Sequence, residues 1–490
     1  MGKKYDFKYI VIGSGPAGSA AALKLAKAKK SVALVEGRFY GGSNLNSRDI
    51  PYSVALDFAH NYAKLSSYPE LKNQEFSFNF PTVAARELST IIAANGNNKK
   101  PFEEAGVICL SGYANFLDDH TIAVNQKKFT AEYFILATGS HLKTSGITIP
   151  ESMDYLTPES AIKIHRLPEV VAIVGGGSTG CELASYYAEL GSRVILLEAS
   201  NRLLPHEDKE VGDLLTDYFT RKLGITILLG SKVTSIGRDE HSAFLIFSFE
   251  GAEKMVRVSD IVMATGSEPN LNYGLENTKV KFKPTGIIVD KFFQTSAKNI
   301  YAVGDCLGNE SSTDRAYHEG ITLASNLIAS SKTPANYSGL TRVTYTTPEV
   351  AVIGFTEDDL IRRDRKYKKV LINLDETVAS KTHNFDYGFI KLITDKTYRI
   401  IGASIVAPHA SLLAEEIALA IRHGLTAVEL ASTPHIMNSY NYIIKLAATK
   451  LLGKNPAAKT KHAKKRKKWP SGHCIFMPRS SPSERPLFTF

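Results

Sequence analysis

One arrangement occurs twice in this chain, about 160 residues apart. In the first copy an apolar run at residues 8–11 leads into Ile12, Gly13, Ser14, Gly15, Pro16, Ala17 and Gly18. An alanine- and leucine-rich helix is predicted over residues 20–28, and a second strand at 31–35 ends on Glu36. In the second copy a strand at 170–174 feeds Gly175, Gly176, Gly177, Ser178, Thr179 and Gly180. A helix follows over 181–190, and a strand at 194–197 closes on Glu198. The glycines divide the work by position. Gly13 and Gly175 make the tight turn, Gly15 and Gly177 let a pyrophosphate approach the backbone, and Gly18 and Gly180 let helix and sheet touch. The helix N-terminus attracts the anion, and Glu36 or Glu198 offers a carboxylate to a ribose. The spacing therefore predicts an α/β chain with two dinucleotide sites in series.

A chain of 490 residues exceeds one core and predicts roughly three or four domains. Composition, with 43% hydrophobic and 22% charged residues, is that of a soluble globular protein. No apolar run is long enough to span a bilayer, and Asp6 spoils the lipidation pattern that Gly2 suggests, so a cytoplasmic enzyme with no membrane partner is expected. The net charge of +10 invites a nucleic-acid reading. Ten Lys or Arg and one acid, however, fall between Lys454 and the C-terminus, which leaves the body nearly neutral. That tail reads as a disordered, solvated end, and nucleic acid is a partner only through it. Cys109, Cys181, Cys306 and Cys474 are too scattered for a metal site and read as isolated thiols.

Other motifs fall between and after the two units. An apolar strand at 133–139 ends in Ala137, Thr138 and Gly139, and a matching one ends in Ala264, Thr265 and Gly266. A strand at 299–306 ends in Gly304, Asp305 and Cys306, with a helix opening at Ala316. Residues 330–339 read as a linker, followed by alternating strands at 388–394 and 400–406 and a helix at 412–421.

In this order, the two glycine turns, the two Ala-Thr-Gly strands and the Gly-Asp strand resemble the class I pyridine nucleotide-disulfide oxidoreductases, the family of dihydrolipoamide dehydrogenase, glutathione reductase and mercuric reductase. The likeness runs over about residues 7–450 and includes Thr347, Pro348, Glu349, Gly354 and Phe355. It implies two Rossmann-like domains, binding FAD and NAD(P)H, and an α+β dimerisation domain. The implied division is 1–150 and 271–335 for FAD, 151–270 for NAD(P)H, 336–453 for dimerisation of a homodimer, and 454–490 for the tail. FAD would lie against Gly13, Ser14, Gly15, Pro16, Ala17, Gly18, Glu36, Gly37, Arg38, Gly41, Gly42, Ser43, Ala114, Ala137, Thr138, Gly139, Gly304, Asp305 and Ala316. The nicotinamide nucleotide would lie against Gly175, Gly177, Ser178, Thr179, Gly180, Glu198 and Gly266, with Glu182 beside the nicotinamide-flavin contact. Glu198, followed by Ala199 and Ser200, favours NADH over NADPH. A setting in cell redox homeostasis comes with the family.

The pattern breaks at residues 41–53. Where the family carries two cysteines five positions apart over the flavin, this chain has Asn44 and Asp49. Ser53 stands for a lysine, Thr433 for a histidine and Asn438 for a glutamate. His435 is displaced two residues from the family's position and reads as a structural or surface histidine rather than a replacement for the lost base. A thiol relay needs all these parts together, so their joint absence predicts an FAD-dependent NAD(P)H oxidoreductase that passes electrons directly to a small-molecule acceptor such as a quinone, oxygen, a dye or a metal ion. A name borrowed from dihydrolipoamide dehydrogenase would then describe descent rather than reaction. A catalytically silent flavoprotein with a binding role is the alternative. Asp49 has two readings: a charge that disfavours flavin reduction, or a solvated partner of Arg48 that caps a turn. Residues 311–315 are also more polar than the family's apolar run there.

Overall fold

Strands Phe7–Ile12 and Val32–Glu36 are near-continuous apolar runs, and most of their side chains are buried. Such strands belong inside a parallel sheet covered on both faces. The computed structural model describes residues 5–66, 68–71, 77–95, 98–144, 146–309 and 312–453. The basic tail, Cys474, Gly2 and Ser311 lie outside the described residues. In the first sheet Phe7–Ile12 pairs in parallel with Val32–Glu36 on one side and Lys127–Leu136 on the other. Ile108–Ser111 extends one edge, and Ile300–Ala302 returns from much later in the chain to pair with Lys127–Leu136. Helices Pro16–Lys27 and Thr313–Ile328 pack so closely that a side chain on Gly320 would strike the Ala17 carbonyl.

Both glycine-turn helices begin earlier than the composition suggests, at Pro16 and Ser178. Pro16 reads as a turn residue, but at the first helical position its missing N–H costs no hydrogen bond. The Ala-Thr-Gly triplets lie just past their strands, which end at Leu136 and Met263. Gly139 and Gly266, at φ +69° and +92°, turn the chain out of each sheet. Likewise the strand before Asp305 stops at Ala302, and Gly304 turns at φ +80°.

The second unit is a four-stranded parallel sheet ordered Thr226–Leu229, Arg193–Glu198, Val170–Val174, Asp260–Met263. One face takes helix Ser178–Glu189; the other packs against the antiparallel strands Lys232–Arg238, Ala243–Phe249 and Ala252–Val258. The two units are stitched by antiparallel pairing of Ser140–Leu142 with Ser267–Pro269. No helix among the described residues is long and apolar enough to cross a membrane.

The C-terminal sheet is antiparallel, ordered Thr341–Thr344, Glu349–Gly354, Ile400–Ala407, Phe389–Thr394, Lys368–Asn373. Its strand Phe389–Thr394 does not alternate in burial as the sequence suggests: all six residues are buried. Both faces are covered. Ile390, Leu392, Ala403 and Ile405 meet helices Ala410–Arg422 and Tyr442–Gly453. Phe389, Val406, Val350 and Val352 share a core with Tyr187, Leu215 and Phe219 of the second unit. Lys391, the charged residue of that alternation, points into this seam. Its ammonium lies 2.6 Å from Glu357, 2.9 Å from Glu210 and 3.4 Å from the buried Asp208. Because removing one partner strands buried charge, Lys391→Met is expected to destabilise the protein by about 3 kcal/mol, read as a lowered urea midpoint.

Candidate active site

The first glycine turn is shaped by side chains it cannot have. A Cβ on Gly13, at φ +98°, would strike the Ala137 carbonyl, and one on Gly18 would strike the carbonyl of Gly13. Gly15 is different: nothing lies within 4 Å of where its Cβ would be, so its backbone faces open space. Ser14 donates to Glu36 Oε2 through both its N–H (3.0 Å) and its hydroxyl (2.6 Å), and the Arg38 N–H donates to Oε1 at 2.8 Å. Oε1 keeps a second lone pair for a ribose hydroxyl. The Gly41 N–H donates to Ser14 Oγ at 3.0 Å, and Gly42 packs against Gly15, so Gly41, Gly42 and Ser43 rest on the same turn. Beside it, Gly37 makes room for the ring of Tyr113, next to Ala114. Gly304 abuts Ala17 and Ala316, and Asp305 accepts from Ser140 at 3.1 Å. Thr138 and Gly139 are bound to Asn270. Arg38 departs from the group, its guanidinium reaching Glu159 on the surface. The open backbone at Gly15 and the spare lone pair on Glu36 fit the phosphates and ribose of FAD.

The second turn repeats the device. Side chains on Gly175 and Gly180 would meet the carbonyls of Ala264 and Gly175, whereas Gly177 faces open space. Glu198 accepts from the N–H groups of Gly176 at 2.5 Å and Ser200 at 2.6 Å. Ser178 and Thr179 open the helix, and the Gly266 carbonyl accepts from Lys143. Arg202, the nearest cation in sequence, is spent on the Pro205 carbonyl (2.8 Å) and Asp358 (2.9 Å).

Between the units lies the segment 41–53. It forms two helices, Gly42–Asn46 and Asp49–Ser66, broken at Ser47 and Arg48. The Asn44 amide donates to Asp49 Oδ2 at 2.7 Å and to Thr313 Oγ1 at 3.0 Å, tying this segment to the start of helix Thr313–Ile328. Asp49 is exposed in the first turn of its helix, where its charge suits the dipole. Its partner is Asn44: among the described ion pairs none joins Asp49 to Arg48, so the turn-capping pair is not formed. Ser53 donates to the Asp49 carbonyl within its own helix.

Glu182 approaches from helix Ser178–Glu189, and its Oε1 accepts from the Tyr345 N–H at 2.9 Å. Burial pushes its carboxyl up to about 7; the Tyr345 bond opposes this and the charge of Asp49 adds to it. Burial, then Asp49, also raises Asp314. Helix Thr313–Ile328 is capped by Ser312, and Arg315 turns inward to Glu319 at 3.0 Å. Cys181 and Cys306 are wholly buried, and burial holds the Cys306 thiol up at about 12. His435 has a side chain only 4% exposed, with one ring nitrogen 2.9 Å from Glu416 and the other 2.9 Å from the Thr433 carbonyl. Asn438 accepts from Thr382 at 2.9 Å.

Two contributors escape motif reading. Thr313 is signalled only by the Ser-Thr-Asp run of a helix start, and Tyr345 by nothing local.

Comparison with known proteins agrees with this architecture. The family model for pyridine nucleotide-disulphide oxidoreductases matches residues 7–326, and the model for that family's dimerisation domain matches residues 340–448. A dihydrolipoyl dehydrogenase of Mycobacterium leprae is 30% identical over 451 residues, covering 88% of this chain and 94% of that protein. A mercuric reductase of Bacillus cereus is 26% identical over 436 residues, covering 88% of this chain and 69% of that protein. Among solved structures, LpdA of Mycobacterium tuberculosis superposes with a TM-score of 0.82 at 24% identity, covering 91% of this chain and 99% of that one. The copper(II) complex of the HOCl-induced flavoprotein disulfide reductase RclA of Escherichia coli gives 0.82 at 23% identity, covering 91% and 100%. With two glycine cradles of one design and a C-terminal sheet matched to the family's dimerisation domain, this chain belongs to the pyridine nucleotide-disulphide oxidoreductases, FAD-dependent enzymes that use a pyridine nucleotide.

Proposed function

We propose that this protein is a homodimeric NADH-dependent flavoprotein oxidoreductase that delivers electrons directly to a non-disulfide acceptor, with a quinone or dye the first class to test. The observation that carries the reading is the segment 41–53, where Asn44 and Asp49, which the family resemblance aligns without gaps to two cysteines, are joined by an amide-carboxylate hydrogen bond. Bound FAD would supply two-electron chemistry, accepting a hydride from the nicotinamide. The protein's part is binding and placement. Glu36 and Glu198 would hold the two riboses, and Glu198, with Arg202 drawn to Pro205 and Asp358, supports NADH over NADPH. Glu182 would lie beside the nicotinamide, where an ionised carboxylate stabilises the positive charge that grows on the ring as hydride departs. Quinone reduction then balances as NADH, quinone and a proton giving NAD⁺ and hydroquinone.

A second reading, a flavoprotein that binds but does not turn over, draws on the three acids Asp49, Glu182 and Asp314, since negative charge disfavours a reduced, anionic flavin. Anaerobic NADH distinguishes the two. Bleaching of the flavin band, with quinone or dye turnover and no turnover of lipoamide or glutathione disulfide, is the expected result. Blocking every accessible thiol should leave that rate within about twofold. Rapid lipoamide reduction by the thiol-blocked protein would overturn the direct-acceptor reading, and an unbleached band would favour the silent one.

The raised Glu182 carboxyl sets a pH dependence. Protonated below about 7 and ionised above it, it should make the limiting rate of flavin bleaching rise with pH through that region. In Glu182→Gln the profile should lose this rise, which stopped-flow absorbance across the pH range would show.

A further inference from the structure

In the family-like reading a lysine partners the acid at Glu182, and here Ser53 stands in its place and bonds within its own helix. Something else must hold Glu182, and the structure contains a candidate that no motif marks. Residues Ser178, Glu182, Ser185 and Glu189 fall on one stripe of helix Ser178–Glu189, since side chains three and four apart share a face. The segment from Thr344 to Thr347, which joins strand Thr341–Thr344 to strand Glu349–Gly354, lies along this stripe and bonds to it repeatedly. Thr344 Oγ1 donates to Ser178 Oγ at 2.8 Å, the Tyr345 N–H to Glu182 at 2.9 Å, and the Thr347 N–H to Ser185 Oγ at 3.3 Å.

His60, from helix Asp49–Ser66, closes the arrangement. One ring nitrogen, Nε2, is 3.1 Å from the carbonyl oxygen of Tyr345. The other, Nδ1, is 2.5 Å from Glu189 Oε2 and 3.0 Å from Thr347 Oγ1. The Glu189 side chain has no exposed surface, and Ser185 donates to its second oxygen at 3.3 Å. A buried carboxylate needs a donor facing it. Nδ1 must therefore carry a proton toward Glu189, while Nε2 needs one to bond the Tyr345 carbonyl. Both demands are met at once by the imidazolium. Burial opposes that charge, but the Glu189 bond and charge outweigh it and raise the His60 pKa.

Resting on the reading that Glu182 faces the nicotinamide, we propose that His60, held by Glu189, is a positioning residue: it clamps the carbonyl side of Tyr345 so that the N–H of the same residue holds the Glu182 carboxylate in place. The first-unit helix bearing His60 thereby orients an acid of the second unit through the main chain of a third segment.

The test compares His60→Leu and His60→Gln with the wild-type holoenzyme at matched FAD content. Two readouts are taken: amide hydrogen exchange in peptides covering residues 344–347, and the anaerobic bleaching rate as a function of NADH concentration. The leucine variant should exchange about tenfold faster over 344–347 and bleach about tenfold more slowly at saturating NADH, with the NADH concentration dependence within about twofold of wild type. Glutamine, whose amide can still donate to the Tyr345 carbonyl, should recover most of both effects. Unchanged exchange in the leucine variant overturns the clamp. Faster exchange with an unchanged bleaching rate overturns the link to Glu182. A wild type that does not bleach defeats the proposed function instead, and the clamp is then decided by exchange alone: Glu182→Ala must speed exchange over 344–347 as His60→Leu does, and a lack of effect in either variant overturns it. Should the leucine variant fail to fold, the same comparison is made with Glu189→Gln, which should reproduce both changes.

Discussion

Two carbonyl oxygens, those of Gly13 and Gly175, hold the architecture together by what they exclude. Each occupies the space of the side chain that Gly18 or Gly180 lacks. That contact draws a helix onto the end of a strand, and the orientation of the helix follows from it. The N-terminal N–H groups then face outward past Gly15 and Gly177, where no side chain stands in the way. The carboxylates of Glu36 and Glu198 lock each turn by accepting backbone N–H groups from both the turn and the residues just beyond their own strand. Side chains able to meet ribose are thus already fixed by the turn that meets phosphate.

The seam between the cradles has a different character. A reactive thiolate pair requires positive surroundings that stabilise the anion. Around Asn44, by contrast, the acids Asp49 and Asp314 stand close by, and the charges of both Asp49 and Arg48 act on Glu182, with no ion pair joining Arg48 to Asp49 among the described contacts. The Asn44 amide supplies hydrogen bonds but no charge, and it bridges two segments that a disulfide could not have joined in this way.

Much of this was legible in the residues, and the part that was not has a common cause. Both nucleotide units announce themselves because each compresses strand, turn, helix, strand and acid into fewer than 40 residues, so local order carries the fold. The segment 41–53 could likewise be flagged from what its positions hold. The pairing of Asn44 with Thr313 spans 269 residues, that of Tyr345 with Glu182 spans 163, and that of His60 with the Tyr345 carbonyl spans 285. No periodicity reports such contacts. The strand Phe389–Thr394 misleads for a related reason. Lys391 looks like a solvent-facing position until Asp208 and Glu210 of the second unit, together with Glu357, receive it, and an alternation that is locally sound becomes a doubly covered strand.

The lysine at that seam also bears on how the molecule can move. With Lys391 bonded across to Asp208 and Glu210, and Phe389 and Val406 sharing a core with Leu215, the second unit and the C-terminal sheet are welded along a broad face. The first unit meets the second through two three-residue strands, Ser140–Leu142 and Ser267–Pro269, and through helix Asp49–Ser66, whose Tyr52, Leu56 and Ala59 lie in that same core. Any breathing that admits a nicotinamide ring would therefore disturb this shared core as well as the short strand pair. The helix carrying Glu182 is thus held from two sides, by the Thr344–Thr347 segment and by His60 of the first unit at its Glu189 end.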